Sequence, residues 1–411
     1  MMNSKNSEAD KISFKKAKTY KVLMIAPRPF FVDVGFSVQI LEEYKALKQQ
    51  GNDVILSCYH LGQDIEGVNI SRSIRVPWYH DPLKNVSFHY LYLDFLLLVN
   101  TFKSAIKFKP DILHAHIHEG GLIGIIVGKL LNIPVVLDIQ GSMLGEYKER
   151  GLPSNVIIEK IISFVENKIN NNSDGLMVEV ELRKDSVLRD SKVDKEKIYH
   201  FKLGIDTDLF SRGTRDKALL KTLNIPEDRK VIGYVGLLTP YQGIDYLLES
   251  MKLILQKRKD VHLLIMGFLN LDLYRRKASE LALDGFVTFT GKMPYHDAPR
   301  HLSLCEIAVG PKISLQETNG KLINYMCMGL PAVVFDTPMN REYLGDLGIY
   351  AKHKDSTDLA RCILNLLGAE EEKIRLSSRL RDRALTHFSL EGMAMNFMNM
   401  YESVLKKSRR C

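Results

Sequence analysis

Residues 230–250 read KVIGYVGLLTPYQGIDYLLES, an apolar run, a glycine-bounded turn and the start of a helical pattern. Lys230–Val235 is a short apolar run with the length and composition of a strand buried on both faces. Gly236–Gly243 is a turn bounded by glycines, and a helical pattern follows over 244–257. Strand, tight turn and helix in that order make half of a βαβ unit, the building block of parallel sheets.

The same alternation extends in both directions. Downstream, Val261–Met266, Val287–Thr290, Ile307–Val309 and Ala332–Phe335 read as strands, with helices near 271–282, 321–328 and 356–367. Upstream, Lys21–Ala26, Asp53–Cys58, Asp111–His114, Pro134–Ile139 and Asp174–Val178 form an earlier set. Ile40, Leu41, Tyr44 and Leu47 recur at helical spacing with Gly51 as a stop, and Val156–Ile169 behaves similarly. The class is therefore α/β, with two Rossmann-like doubly wound domains facing a central cleft. The expected boundaries are a basic tail at 1–19, a first domain at 20–203, a second at 204–385, and a last segment at 386–411. In that segment Ser389 reads as an N-cap, and Met393, Phe397, Met400 and Val404 make one apolar packing face.

Charge narrows the function. The chain has 57 Lys+Arg against 49 Asp+Glu, a formal +8. Residues 1–21 hold six Lys and two acids, and Lys406, Lys407, Arg409 and Arg410 add four more positive charges. The body between is neutral, so the basic face expected of a nucleic-acid binder is missing. Five scattered cysteines without a C-x-x-C pair signal neither disulfides nor zinc, and a cytoplasmic setting is expected. The polar, Lys-rich start predicts no secretory signal. Phe88–Val99 and Gly121–Leu137 are apolar but interrupted and too short to span a bilayer. Phe88–Val99 reads as a buried helix, with a membrane-facing surface as the alternative.

Ligands of doubly wound sheets bind beyond the carboxyl ends of the strands, so the strand-end loops carry the candidate chemistry. Gly236–Gly243 fits neither a dinucleotide nor a P-loop fingerprint. Pro311–Gly329 reads PKISLQETNGKLINYMCMG, and its polar cluster Gln316, Glu317, Thr318, Asn319 leads into Gly320 and Lys321 at a helix start. A cation in a first helical turn is out of place unless an anion joins it there. His114, His116 and His118 alternate along a strand end before Glu119; a metal reading lacks a fourth ligand, and His116, nearest the cleft, is the candidate ligand contact.

In order and spacing these pieces resemble family-four glycosyltransferases of the GT-B fold over residues 20–405. The matching stretches are Pro110-Asp111-Ile112-Leu113-His114-Ala115-His116, the linker Gly204–Phe210, Val235-Gly236 with Gln242–Asp245, Ile265–Gly267, Phe289–Gly291 and Gly320–Val334. The resemblance implies transfer of a sugar from a UDP- or GDP-sugar, with retained configuration and no bound metal. The acceptor would be a glycan, lipid-linked or small molecule. It implies that His116 contacts the donor sugar, and that Gly35 lies in the loop approaching phosphates and acceptor. Gly267, Gly291 and Met293 line the base pocket, while Gly320, Lys321 and Leu322 hold the diphosphate, with Gly236, Gln242, Asn319 and Asn324 alongside.

The sequence departs from the family where the donor is gripped. Leu237 and Gln242 stand where an Arg and a Lys clamp the diphosphate, and Gln316 and Asn324 replace a pair of glutamates spaced E-x7-E. Lys321 is expected to restore a cation and Glu317 a carboxylate, with His116, Glu317 and Lys321 as the catalytic set. The alternatives are a non-catalytic GT-B scaffold and, less favoured, a sugar-nucleotide epimerase. The basic tails are expected to contact an anionic membrane.

Overall fold

The structure, a computed structural model, describes residues 18–80, 89–149, 153–315 and 318–408. The first sheet contains β1 (Lys21–Ala26), β2 (Asp53–Cys58), β3 (Ile70–Arg72), β4 (Ile112–His116), β5 (Val135–Ile139), β6 (Gly175–Val178) and β7 (Ile198–His200). The second contains β8 (Lys230–Val235), β9 (Val261–Met266), β10 (Val287–Phe289), β11 (Ile307–Gly310), β12 (Ala332–Phe335) and β13 (Ile349–Ala351). The strand orders are β3-β2-β1-β4-β5-β6-β7 and β10-β9-β8-β11-β12-β13, and every pairing is parallel. The order reverses between β1 and β4 in one sheet and between β8 and β11 in the other, and each reversal opens a crevice at the strand ends.

Central strands are buried along their whole length, as their Val, Ile and Leu content requires. Five helices of the first sheet matter below: α1 (Gly35–Gln49), α2 (His89–Phe108), α3 (Ile117–Leu131), α4 (Met143–Glu149) and α5 (Val156–Asn172). One face is covered by α1 and by the final helix Leu390–Ser408, sharing a core of Tyr44, Leu47, Phe397, Met400 and Tyr401. The other is covered by α2 and α3, with Leu93, Leu97, Ile123 and Val127 packed on Leu23, Ile25 and Leu113. Of Phe88–Val99, residues 89–99 thus lie on a helix with one buried side, and Phe88 is outside the described residues. Ser389 caps the final helix as expected, its hydroxyl accepting from the Gly392 N–H at 3.2 Å. Burying each large side chain contributes about 1.5–3 kcal/mol, enough to fasten this helix to the first sheet although its sequence follows the second.

Buried His262 on β9 sets an acid limit on the second sheet. Arg229 donates to its Nδ1 (3.2 Å), and its Nε2–H donates to Thr288 Oγ1 (2.8 Å), an arrangement only the neutral ring can satisfy. Burial, reinforced by the Arg229 charge, lowers its pKa from 6.5 to about 4. Because the folded value is depressed, this stability is present above pH 6.5 and lost as pH falls toward 4. Denaturant titrations at pH 7 and pH 5 are expected to differ by about 2 kcal/mol more in the native chain than in His262→Gln. Equal pH slopes in the two proteins would contradict the assignment.

Candidate active site

In the crevice of the second sheet, the turn after β8 is pressed against its neighbours. A Cβ on Gly243, at φ +76°, would sit 1.9 Å from the Pro311 carbonyl oxygen, and one on Gly267 would sit 2.1 Å from the Gly236 oxygen. Gly243→Ala therefore forces the 236–243 and 311–313 backbones apart. At least ~2 kcal/mol of stability should be lost, read as a lowered denaturation midpoint.

These close approaches position Lys321, the first residue of the helix Lys321–Cys327. Its ammonium donates to Gln242 Oε1 (2.6 Å) and Asn319 Oδ1 (3.2 Å), and lies 5.3 Å from the Tyr234 ring centroid. A Cβ on Gly236 would reach within 3.0 Å of Lys321 Cε, so glycine leaves the room that the lysine fills. Asn319 is itself held by Asn340, whose amide is anchored on the Phe335 carbonyl. Gln242, standing where the family carries a cation, thus serves as an anchor for a cation from another loop. The structure brings Gly236, Gln242, Asn319, Gly320 and Lys321 together. Open space lies in front of Gly320, where no atom comes within 4 Å of a Cβ position.

The expectation for the helix start narrows on one point. The Leu322 N–H is donated to Asn319 O at 2.9 Å and the Leu322 side chain is fully buried. The backbone N–H at 322 is therefore engaged within the turn and is not available to an anion. The helix has only seven residues, so Lys321 outweighs its dipole. Asn324 is half-buried one turn further on. Gly291, at φ +74°, and Met293 form the turn after β10, where Thr290 Oγ1 approaches Met293 Sδ at 3.9 Å. Gln316 and Glu317 lie outside the described residues.

Across the cleft, β4 runs two residues further than its apolar pattern predicts and carries both His114 and His116. Chain direction then breaks at Ile117 (φ +51°), an uncommon conformation for a β-branched residue. His118 therefore does not share the direction of the other two. It sits on α3 with its Nε2 3.8 Å from Glu166 of α5. His114 is a core residue, bonded through Nδ1 to the Tyr401 hydroxyl (2.7 Å) and stacked on His116 with ring centroids 4.7 Å apart.

His116 is fully buried, its Nδ1 3.4 Å from Asp138 Oδ2 and 3.8 Å from Glu43 Oε2. Asp138 also accepts from Gln140 (2.7 Å) and Gln39 (3.1 Å), so the ring is backed by a braced carboxylate. Gly35, exposed at the start of α1, has no atom within 4 Å of a Cβ position. Glu43, His114 and His116 are the grouping, among the described residues, whose ligand atoms could share a metal ion, all within 4.8 Å. Burial, with the Asp138 charge, raises the Glu43 pKa well above the carboxylate range, and burial pushes His114 far down. The Glu43 carboxyl and the His114 ring face each other across 3.5 Å.

Several contacts join the halves, and two of them involve residues that follow strands of the first sheet. Asp33, after β1, accepts from the Tyr295 N–H (3.3 Å) and pairs with Lys292 (3.4 Å) beside Gly291 and Met293. Glu179, at the end of β6, accepts from the Tyr343 hydroxyl and from Thr318, and burial raises its pKa. Sequence reading singled out none of Glu43, Asp138 and Glu179. For Asp138 a signal existed, since it is the single charge in the buried run VVLDI.

Two parallel doubly wound sheets facing one another, with an anion-suited cation on one side and a braced histidine on the other, define the class of the molecule. The profile described as Glycosyltransferase Family 4 matches residues 35–209, and that described as Glycosyl transferases group 1 matches residues 229–369. The chain belongs to glycosyltransferase family 4, with the GT-B fold, and is a glycosyltransferase. It is similar to the D-inositol 3-phosphate glycosyltransferase of Corynebacterium kroppenstedtii, 23% identical over 73% of this chain and 69% of the relative. The fold is shared with sucrose-phosphate synthase from Thermosynechococcus elongatus (TM-score 0.77, 18% identity, 94% of this chain and 99% of that one). It is shared equally with Anabaena HepE (TM-score 0.76, 14% identity, 93% and 100%), whose structure was determined with UDP and glucose. No helix among the described residues is long and apolar enough to cross a membrane.

Proposed function

We propose that the protein transfers a sugar from a UDP-linked donor to a glycan, lipid-linked or small-molecule acceptor, with retained configuration and without a metal ion. The observation that carries this reading is the Lys321 ammonium anchored on Gln242 and Asn319 beside Gly236 and Gly320. One cation there supplies what Leu237 and Gln242 no longer provide. As the bond from sugar to diphosphate breaks, negative charge grows on the leaving group, and a preorganised ammonium favours that state over the ground state. His116 orients the sugar from the other side of the cleft, its ring held by Asp138. Glu317 is assigned the carboxylate facing the sugar. Gly267, Gly291 and Met293 flank the base, and Asn324 hydrogen-bonds a ribose hydroxyl without charge. In this reading 20–203 is the acceptor side and 204–385 the donor side, and the basic tails add attraction to an anionic membrane. UDP is preferred to GDP because HepE, alike in fold, binds UDP.

Thermal shift against UDP, GDP and their sugar conjugates tests the donor. A rise in midpoint with UDP compounds that exceeds the rise with GDP compounds is expected. A reversed order would overturn the choice of nucleotide, and no shift with any of them would sink donor binding altogether.

A further inference from the structure

The two faces of the first sheet differ in what they show to solvent. On the face covered by α1 and the final helix, Met395 is the one large apolar side chain of those helices that is strongly exposed. On the opposite face, α5 exposes Val156 (68%), Ile157 (70%), Ile161 (58%) and Phe164 (61%), and of its seventeen residues only Ile169 and Asn170 are buried. Its neighbour α3 exposes Leu122, Ile126 and Leu130 at four-residue spacing, and α2 exposes Leu91, Phe95 and Ile106. A soluble surface rarely concentrates apolar side chains over three adjoining helices without a partner.

Charge says what the partner is. The exposed charged residues of these helices are Lys103, Lys107, Lys129, Lys160 and Lys168, and all are cationic. Their four acids are half-buried and engaged: Asp94 with Tyr59, Glu119 with Arg28, Glu159 with Lys148, and Glu166 with Ser142. An apolar stripe edged only by lysines is the surface of an interfacial helix. The rings and aliphatic chains enter the boundary of headgroups and acyl chains, and the lysine stems reach back to anionic headgroups. A second copy fits poorly, because two-fold pairing would set lysine against lysine. Position adds purpose. β5 and β6 both end at the cleft, so α5 starts at the cleft edge and runs away from it, and Val156–Val165 is its cleft-proximal half.

We propose that the outer surface of α2, α3 and α5 docks on an anionic bilayer, with the start of α5 holding the cleft mouth at the headgroups. This inference does not rest on the transferase reading, and its test needs no activity. The full chain is floated with phosphatidylcholine vesicles, with and without phosphatidylglycerol. Beside it run the triple variant Ile157→Ser/Ile161→Ser/Phe164→Ser, the pair Lys160→Glu/Lys168→Glu, and a chain lacking residues 2–17. Circular dichroism and melting establish that each variant is folded. The native chain is expected to float with anionic vesicles only. The triple variant should lose at least tenfold in bound fraction, the charge pair severalfold at low salt, and the shortened chain should still bind. The proposal is overturned if the native chain stays down. It is equally overturned if the triple variant floats like the native chain, or if sedimentation shows a native dimer that the triple variant dissolves.

Discussion

Lys321→Ala is expected to raise the dissociation constant for UDP and UDP-sugars roughly 10- to 150-fold, the worth of about 1.5–3 kcal/mol for a charge-assisted hydrogen bond. Turnover should fall with it, because the same ammonium meets the charge that develops on the leaving diphosphate. Two controls separate this from a general loss of structure. Uridine, which has no phosphate, should bind both proteins alike. Lys321→Arg should recover only part of the affinity, because the cradle formed by Gln242 Oε1 and Asn319 Oδ1 holds a compact ammonium and not a planar fork. Unchanged UDP affinity in Lys321→Ala would remove the phosphate role.

Asp138→Ala should have a comparable effect by a different route. Its Oδ2 atom is shared by Gln140, Gln39 and His116, and the residue is 1% exposed. Removing it leaves polar groups buried without their acceptor, at about 1–3 kcal/mol for each group left unpaired, so the melting midpoint should drop by several degrees. The His116 ring also loses the partner that fixes its orientation, and misplacement of a positioning group by about 1 Å can cost roughly 100-fold in turnover. Asp138→Asn keeps one acceptor oxygen and should recover most of the stability while recovering less of the turnover. A destabilised Asp138→Ala protein with native turnover would show that His116 does not orient the sugar.

Much of this molecule was legible in its residues, and the reason differs from place to place. The long apolar strands could be read because strands buried on both faces need continuous Val, Ile and Leu. β3, β7 and β13 escaped because each is a three-residue edge strand, and Ile70-Ser71-Arg72 carries no such run. β4 outlasts its apolar pattern because it pairs on both sides, and His116 is opposite Asp138 in that register. The histidine alternation therefore holds for His114 and His116 and fails for His118, where the helix begins. Lys321 stood out as a cation at a helix start, but its anchor on Gln242, 79 residues earlier, depends on how the two loops pack. Glu43 and Glu179 gave no signal, since a lone acid acquires meaning only from what the fold places beside it.

Acceptor-dependent release of UDP separates sugar transfer from nucleotide binding alone. Purified protein is given a panel of UDP-sugars, with and without a cellular extract as the source of acceptor. At least one donor should release UDP only when extract is present, with the sugar recovered on the acceptor in its original anomeric configuration and the release abolished in Lys321→Ala. A protein that binds UDP-sugars yet releases no nucleotide above background with any donor, extract present, would contradict catalysis and leave a binding scaffold in its place.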